Sequence, residues 1–128
     1  MAYHVGKARF GQLVERALSQ LPPRFREFVD EVPVQIEWRP TPRMLRSVGL
    51  DDDELLFGLY QGANLMDRSE VEGRGTPMPN HILIFQEDHE LVAKSETELV
   101  EEVRMTVLHE IGHHFGMDED DLEALGYG

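Results

Sequence analysis

The strongest constraint on the fold is a long stretch of helical periodicity from Ser95 to about Phe115. Ser95 or Thr97 can cap its start, where the acidic residues that follow suit the positive end of the helix dipole. About 18 helical residues would span about 27 Å. Apolar residues recur every three or four positions and predict one wide buried face, formed by Leu99, Val100, Val103, Val107, Leu108 and Ile111.

The neighbouring polar face of this helix carries His109, Glu110 and His113, an HExxH pattern. Residues four apart in a helix are separated by about 40° around the axis and about 6 Å along it. Two imidazoles at that spacing can converge on one metal ion. Glu110 lies about 100° from His109 and about 60° from His113. It therefore suits a general base that reaches a metal-bound water better than it suits a third ligand.

A catalytic zinc ion usually has three protein ligands and one open position, so a third ligand is expected elsewhere. Gly116 follows His113 by three residues, and Glu119 follows Gly116 by three. In the longer metzincin pattern a glycine at that place lets the helix end, and the residue three positions later returns as a ligand. Glu119 is therefore the first candidate. Asp118 is the second, Asp120 is a further acidic neighbour, and no methionine turn follows.

A competing interpretation is a solvated, histidine-rich helix end with Asp118 capping the next helix. The preceding amphipathic run, the placed glycine and the acidic cluster favour the metal site instead. On the helical wheel Glu102 and Thr106 fall on the same face as the two histidines, which makes them candidates for fixing the histidine tautomers. His114 points elsewhere and is not predicted to bind the metal.

The remaining pattern mixes helices and strands. Pro33 indicates either that the first strand lies near a sheet edge or that the strand starts there, and the strand at residues 81–85 is apolar on both faces, as a central strand is. We expect His81 to be a structural residue at the start of that strand. The predicted elements are a helix over residues 7–21, strands over 32–38, 55–60 and 81–85, a loop or short helical turn over 87–93, a short strand around Leu65 and Met66, a loop over 70–79, and a last helix that begins at Asp118 or Glu119.

Charge is distributed unevenly along the chain. Of the net charge of −13, the part from Gln86 onward carries −11, with 13 acidic residues against Lys94 and Arg104. Such a field repels phosphate backbones and attracts cations, so we expect no nucleic-acid partner.

The 128 residues predict a single domain, residues 1–128, with its own core. The chain has no cysteine, so a metal would be held by histidine and carboxylate. No run reaches the roughly 18–20 apolar residues of a membrane span, and the N-terminus lacks the pattern of a signal peptide. We therefore expect a cytoplasmic protein with no membrane partner.

Several segments together resemble the minimal zincin-like metallopeptidases, a family of small bacterial single-domain proteins. They are Leu-Pro-Pro-Arg-Phe, Leu-Phe-Gly-Leu-Tyr-Gln-Gly, Met-Asp-Arg-Ser, Pro-Asn-His-Ile and, most specifically, Glu-Val-Arg-Met-Thr-Val-Leu-His-Glu-Ile-Gly-His-His-Phe-Gly. The resemblance implies an α+β fold, with a small mixed sheet packed against an N-terminal helix and the long HExxH helix. It also implies zinc (Zn2+) at His109 and His113 with Glu110 as base. The third ligand in such proteins is generally His or Asp, and Glu119 departs from that.

The predicted function is zinc-dependent hydrolysis of peptide bonds in a peptide or protein substrate. Two alternatives remain open at this level. One is a metal-binding domain without protease activity, and the other is a metal hydrolase acting on a non-peptide substrate.

Overall fold

The computed structural model describes residues 3–61, 80–117 and 119–124, except the side chains of Glu119 and Leu122. Helices and strands are interleaved along the chain. In order they are α1 Lys7–Ser19, α2 Pro23–Glu31, β1 Val34–Glu37, α3 Pro42–Ser47, β2 Gly58–Gln61, β3 His81–Phe85, α4 Gln86–Val92, α5 Glu96–His114 and α6 Glu119–Ala124.

The three strands form one mixed sheet in the order β1-β3-β2. β1 is parallel to β3, with Val34 opposite Ile82, and β2 is antiparallel to β3, with Leu59 opposite Leu83. All five residues of β3 are buried, which confirms the prediction of a central strand from its continuous apolar sequence. Among the described strands β1 lies at one edge and begins at Val34, directly after Pro33, so the structure is compatible with both placements expected from this proline.

The larger apolar cluster lies between the sheet and the helices α1 and α5. α1 contributes Phe10, Leu13, Val14 and Ala17, although it precedes the strands by many residues. Ile82 and Ile84 face this cluster from β3, whereas alternate residues of the sheet face a smaller one, composed of Leu59, Leu83 and Phe85 with Met44 and Leu56 packed against it. The fold is therefore α+β, with a small mixed sheet against an N-terminal helix and the long HExxH helix, as expected.

Several elements differ from their predicted limits. α1 ends at Ser19 rather than at residue 21, and β1 spans Val34–Glu37 rather than residues 32–38. β2 begins at Gly58, so residues 55–57 precede it, although the Phe57 carbonyl already accepts from the Phe85 amide at 3.0 Å and the Leu56 amide donates to Asp88 Oδ2 at 2.7 Å. Residues 86–92 form a full helix, α4, where a loop or a short helical turn was expected. Although α4 is rich in polar residues, Gln86, Asp88, His89 and Glu90 are buried and hydrogen-bonded.

The strand expected around Leu65 and Met66 and the loop expected over residues 70–79 lie outside the described residues. Among the helices that the structure does describe, none combines the length and the apolar character needed to cross a membrane.

Candidate metal and active site

The candidate site lies on the C-terminal half of α5. Ser95 is the N-cap of this helix, and its hydroxyl accepts a hydrogen bond from the Glu98 amide at 3.2 Å. The predicted apolar stripe is buried along its length, so the helix is fixed against the sheet and α1. That packing determines which way the polar face of α5 points.

His109 and His113 lie one turn apart on α5, with Glu110 between them. His109 and Glu110 are half-buried, whereas His113 is exposed. Within the described part of the chain, neither imidazole makes a hydrogen bond to another side chain or to the backbone. With respect to the described residues, the ring nitrogens of both histidines are therefore available to coordinate a metal ion.

The Glu110 carboxylate is held by the backbone of β2. The amide of Tyr60 donates a hydrogen bond to Glu110 Oε1 at 2.7 Å. Burial raises the pKa of the Glu110 carboxyl above its ordinary value, while this amide and the nearby His113 oppose the shift. The helix and the strand thus fix both the place and the direction of this carboxylate.

Gly116 terminates α5 at its C-terminal end. This residue has φ 77°, in the left-handed region that favours glycine. The Gly116 amide bonds to the His113 carbonyl at 3.0 Å and the Met117 amide to the Gly112 carbonyl at 2.7 Å. This pair of bonds is the Schellman motif, which ends the helix at His114 with Phe115 as its C-cap. The predicted role of this glycine as a helix terminator is confirmed.

Of the three candidates for the third ligand, Asp118 and the side chain of Glu119 lie outside the described residues. The third candidate, Asp120, is exposed on α6, which begins at Glu119. Among the described residues there is no group of three or more histidine or acidic side chains placed to hold a metal ion. The donors that are described, two imidazoles without competing hydrogen bonds, fit the nitrogen chemistry of zinc.

Aromatic rings surround the end of α5. The His114 ring lies 4.8 Å from the Tyr60 ring and 4.9 Å from the Phe28 ring, measured between centroids. The His114 ring thus packs on these two rings, although the residue as a whole is exposed. Within the described part of the chain the buried Tyr60 hydroxyl has no hydrogen-bond partner.

The two residues expected to orient the histidines make different contacts. The Thr106 hydroxyl donates to the Glu102 carbonyl at 2.8 Å and lies 3.1 Å from His89 Nε2. The Glu102 side chain is exposed.

His81 is buried and opposes Gln61 across the sheet, with its Nε2 atom 3.2 Å from Gln61 Oε1, in the structural position expected of it.

The sequence did not reveal two residues that contact the helix carrying the site, Tyr60 and His89. Tyr60 acts on Glu110 through its backbone amide, and no side-chain pattern reveals such a bond. His89 is fully buried in α4 and contacts the middle of α5. A single histidine among acidic residues carried no periodicity that would have placed it inside.

The chain matches one protein-family model over most of its length. The family model described as zincin-like metallopeptidase matches residues 29–128, which is most of the chain and includes β1, the whole sheet and α5. No curated protein matches the chain. Because the match covers well over half of the sequence and contains the HExxH helix, the chain belongs to the zincin-like metallopeptidase family.

Proposed function

We propose that this protein is a zinc-dependent peptidase in which His109 and His113 bind the metal and Glu110 is the general base. Glu119 is the proposed third ligand, ahead of Asp118 and Asp120. The observation that carries the proposal is the placement of Glu110. Its carboxylate lies on the same helix as the two imidazoles and is held by the Tyr60 amide at 2.7 Å.

Each of these side chains has a role that fits its chemistry. The imidazoles of His109 and His113 supply neutral nitrogen ligands one helical turn apart. Zinc held there would lower the pKa of a water molecule and polarise the scissile carbonyl. Glu110 takes the proton from the attacking water and delivers it to the leaving amine.

The negative charge of the chain favours a divalent metal ion and a peptide substrate over a nucleic-acid partner. Acidic residues on or near the exposed side of α5 and α6 include Glu101, Glu102, Asp120 and Asp121. A negative field of this kind attracts divalent cations and the basic side chains of peptides, and it repels phosphate.

The test is cleavage of a mixed quenched-fluorescent peptide library by the zinc-loaded protein, with Glu110→Gln as the matched control. Glutamine keeps the size and the hydrogen-bond acceptor of Glu110 but cannot take a proton. We expect the variant to retain zinc and to lose turnover by the roughly 10²- to 10⁴-fold that general-base catalysis supplies. Cleavage at the wild-type rate by Glu110→Gln would show that another group is the base.

The same experiment distinguishes the alternatives. Zinc binding by the wild-type protein with no cleavage of any library member would favour a metal-binding domain without protease activity. Zinc-dependent hydrolysis restricted to an ester or phosphodiester probe would favour a hydrolase of a different substrate class.

A further inference from the structure

We propose that β2 is the positioning element for Glu110, acting through the Tyr60 amide and through a close approach to α5 at Gly58. This inference rests on the proposed function, since it assigns β2 to the placement of the base. Tyr60 and Gly58 are positioning residues, and neither needs to touch the substrate for this role.

The backbone of β2 has two sides with different neighbours. The Phe57 carbonyl accepts from the Phe85 amide at 3.0 Å, so Phe57 faces β3. Because successive residues of a strand direct their amides to opposite sides, Gly58 and Tyr60 face away from β3. On that side the Tyr60 amide meets Glu110 Oε1 at 2.7 Å instead of another strand. The outer edge of β2 is thus directed at α5.

Gly58 allows the strand to come this close. A Cβ atom at Gly58 would lie 2.5 Å from Thr106 Cγ2 and 3.1 Å from the Leu83 carbonyl oxygen. Thr106 precedes Glu110 by one helical turn, and Gly58 precedes Tyr60 by two strand residues. These spacings are about 6 Å and about 6.8 Å, so the two contacts run side by side along helix and strand.

Neighbouring hydrogen bonds fix both sides of the contact. The Thr106 hydroxyl is tied to the Glu102 carbonyl and to His89 Nε2, and His89 Nδ1 in turn lies 3.0 Å from the Phe85 carbonyl. On the strand side, Asp88 accepts from the Leu56 amide at 2.7 Å, just before β2 begins. Buried residues of α4 therefore hold both Thr106 and the entry to β2.

This arrangement matters because a glutamate side chain has several rotatable bonds. A charge-assisted hydrogen bond from a rigid backbone amide selects one carboxylate position. Misplacing a catalytic group by about 1 Å can cost about 100-fold in rate. A strand that fixes Glu110 thus contributes to turnover without contributing to metal binding.

The first experiment uses Gly58→Ala, with Thr106→Ser as the compensating change. Alanine would push β2 away from Thr106, whereas serine removes Cγ2 and keeps the hydroxyl that bonds to Glu102 and His89. We expect Gly58→Ala to lower kcat on the peptide library by about 10- to 100-fold, with zinc affinity unchanged. The double variant should recover most of the kcat measured for Thr106→Ser alone, limited by the remaining contact with Leu83.

The second experiment needs no activity and no metal. In the zinc-free, ¹⁵N-labelled protein, at a pH at which Glu110 is ionised, the Tyr60 amide proton should resonate at low field because its acceptor is a charged carboxylate. We expect Glu110→Gln and Gly58→Ala each to move this resonance upfield, and the Gly58→Ala/Thr106→Ser double variant to return it.

A pair of variants at Tyr60 covers the case in which Gly58→Ala does not fold. Tyr60→Ala loses the ring and keeps the amide, whereas Tyr60→Pro loses both, and proline is tolerated where an edge-strand amide is outside the ladder. We expect Tyr60→Pro to have the lower kcat of the two at equal zinc content. The proposal would be overturned if the chemical shift of the Tyr60 amide proton did not change in Glu110→Gln. It would also be overturned if Tyr60→Ala and Tyr60→Pro had equal kcat. A wild-type protein that cleaves nothing would instead overturn the proposed function, and the amide resonance would still decide whether β2 holds Glu110.

Discussion

The amide of Tyr60 donates its hydrogen to the carboxylate of Glu110 across 50 residues of sequence, at a distance of 2.7 Å. This bond joins the edge of the sheet to the helix that carries the two candidate zinc ligands. It places Glu110 by means of the fold rather than by its neighbours in sequence.

Zinc binding should depend on His109 and His113 and not on His114. We expect His113→Ala and His109→Ala to weaken zinc binding by more than the roughly 10- to 100-fold that loss of a supporting hydrogen-bond partner costs. His114→Ala is the matched control, because this residue adjoins His113 but packs on Tyr60 and Phe28. Titration against a chelator of known affinity measures all three. Equal zinc affinity in His113→Ala and His114→Ala would contradict the ligand assignment.

The third ligand can be identified among three consecutive acidic residues. We expect Glu119→Ala to reduce zinc affinity more than Asp118→Ala or Asp120→Ala, because a lost ligand costs more than a lost nearby charge. The same chelator titration applies, at an ionic strength high enough to screen exposed charges. If Asp118→Ala causes the largest loss, the ligand is one position earlier than proposed.

Replacement of Gly116 should loosen the end of α5. Its φ of 77° is unfavourable for a residue with a Cβ atom, so Gly116→Ala should cost about 1–2 kcal/mol in the free energy of unfolding. Gly11 in α1 is the matched control, because a Cβ there would meet nothing within 4 Å. Gly11→Ala should stabilise the protein by about 0.5–1 kcal/mol. Urea denaturation of the zinc-free protein measures both, and a destabilisation of the same size in both variants would be inconsistent with a special role for Gly116.

His89 should make the stability of the zinc-free protein depend on pH. Burial lowers the pKa of this imidazole, and the carbonyls of Phe85 and Glu102 oppose the shift only in part. A lowered folded-state pKa means that the unfolded chain takes up the proton first, so stability is lost as pH falls below the unfolded value of about 6.5.

The variant that removes this titration is His89→Leu. We expect it to cost about 1–3 kcal/mol near neutral pH through its lost hydrogen bonds. It should also lose less stability than the wild-type protein between pH 7.5 and pH 5.5, measured from urea midpoints. Parallel loss of stability in the two proteins over that range would show that His89 does not titrate as described.

The sequence was most informative where one residue type determines local structure. The helix of residues 96–114, its Ser95 cap, the central position of β3 and the termination at Gly116 each follow from periodicity, capping or backbone freedom. α4 was not predicted as a full helix, because its buried polar residues are satisfied by Val5, Leu56 and Thr106, which are distant in sequence. The bond from Tyr60 to Glu110 was beyond sequence reasoning for the same reason.

The most direct test of the account is an anomalous difference map, recorded at the zinc absorption edge from crystals of the protein grown with zinc. We expect one peak at about 2.0–2.1 Å from a ring nitrogen of each of His109 and His113, with an acidic side chain as the third protein ligand. A fully ordered α5 with no peak between these two imidazoles, in crystals that contain saturating zinc, would contradict the account.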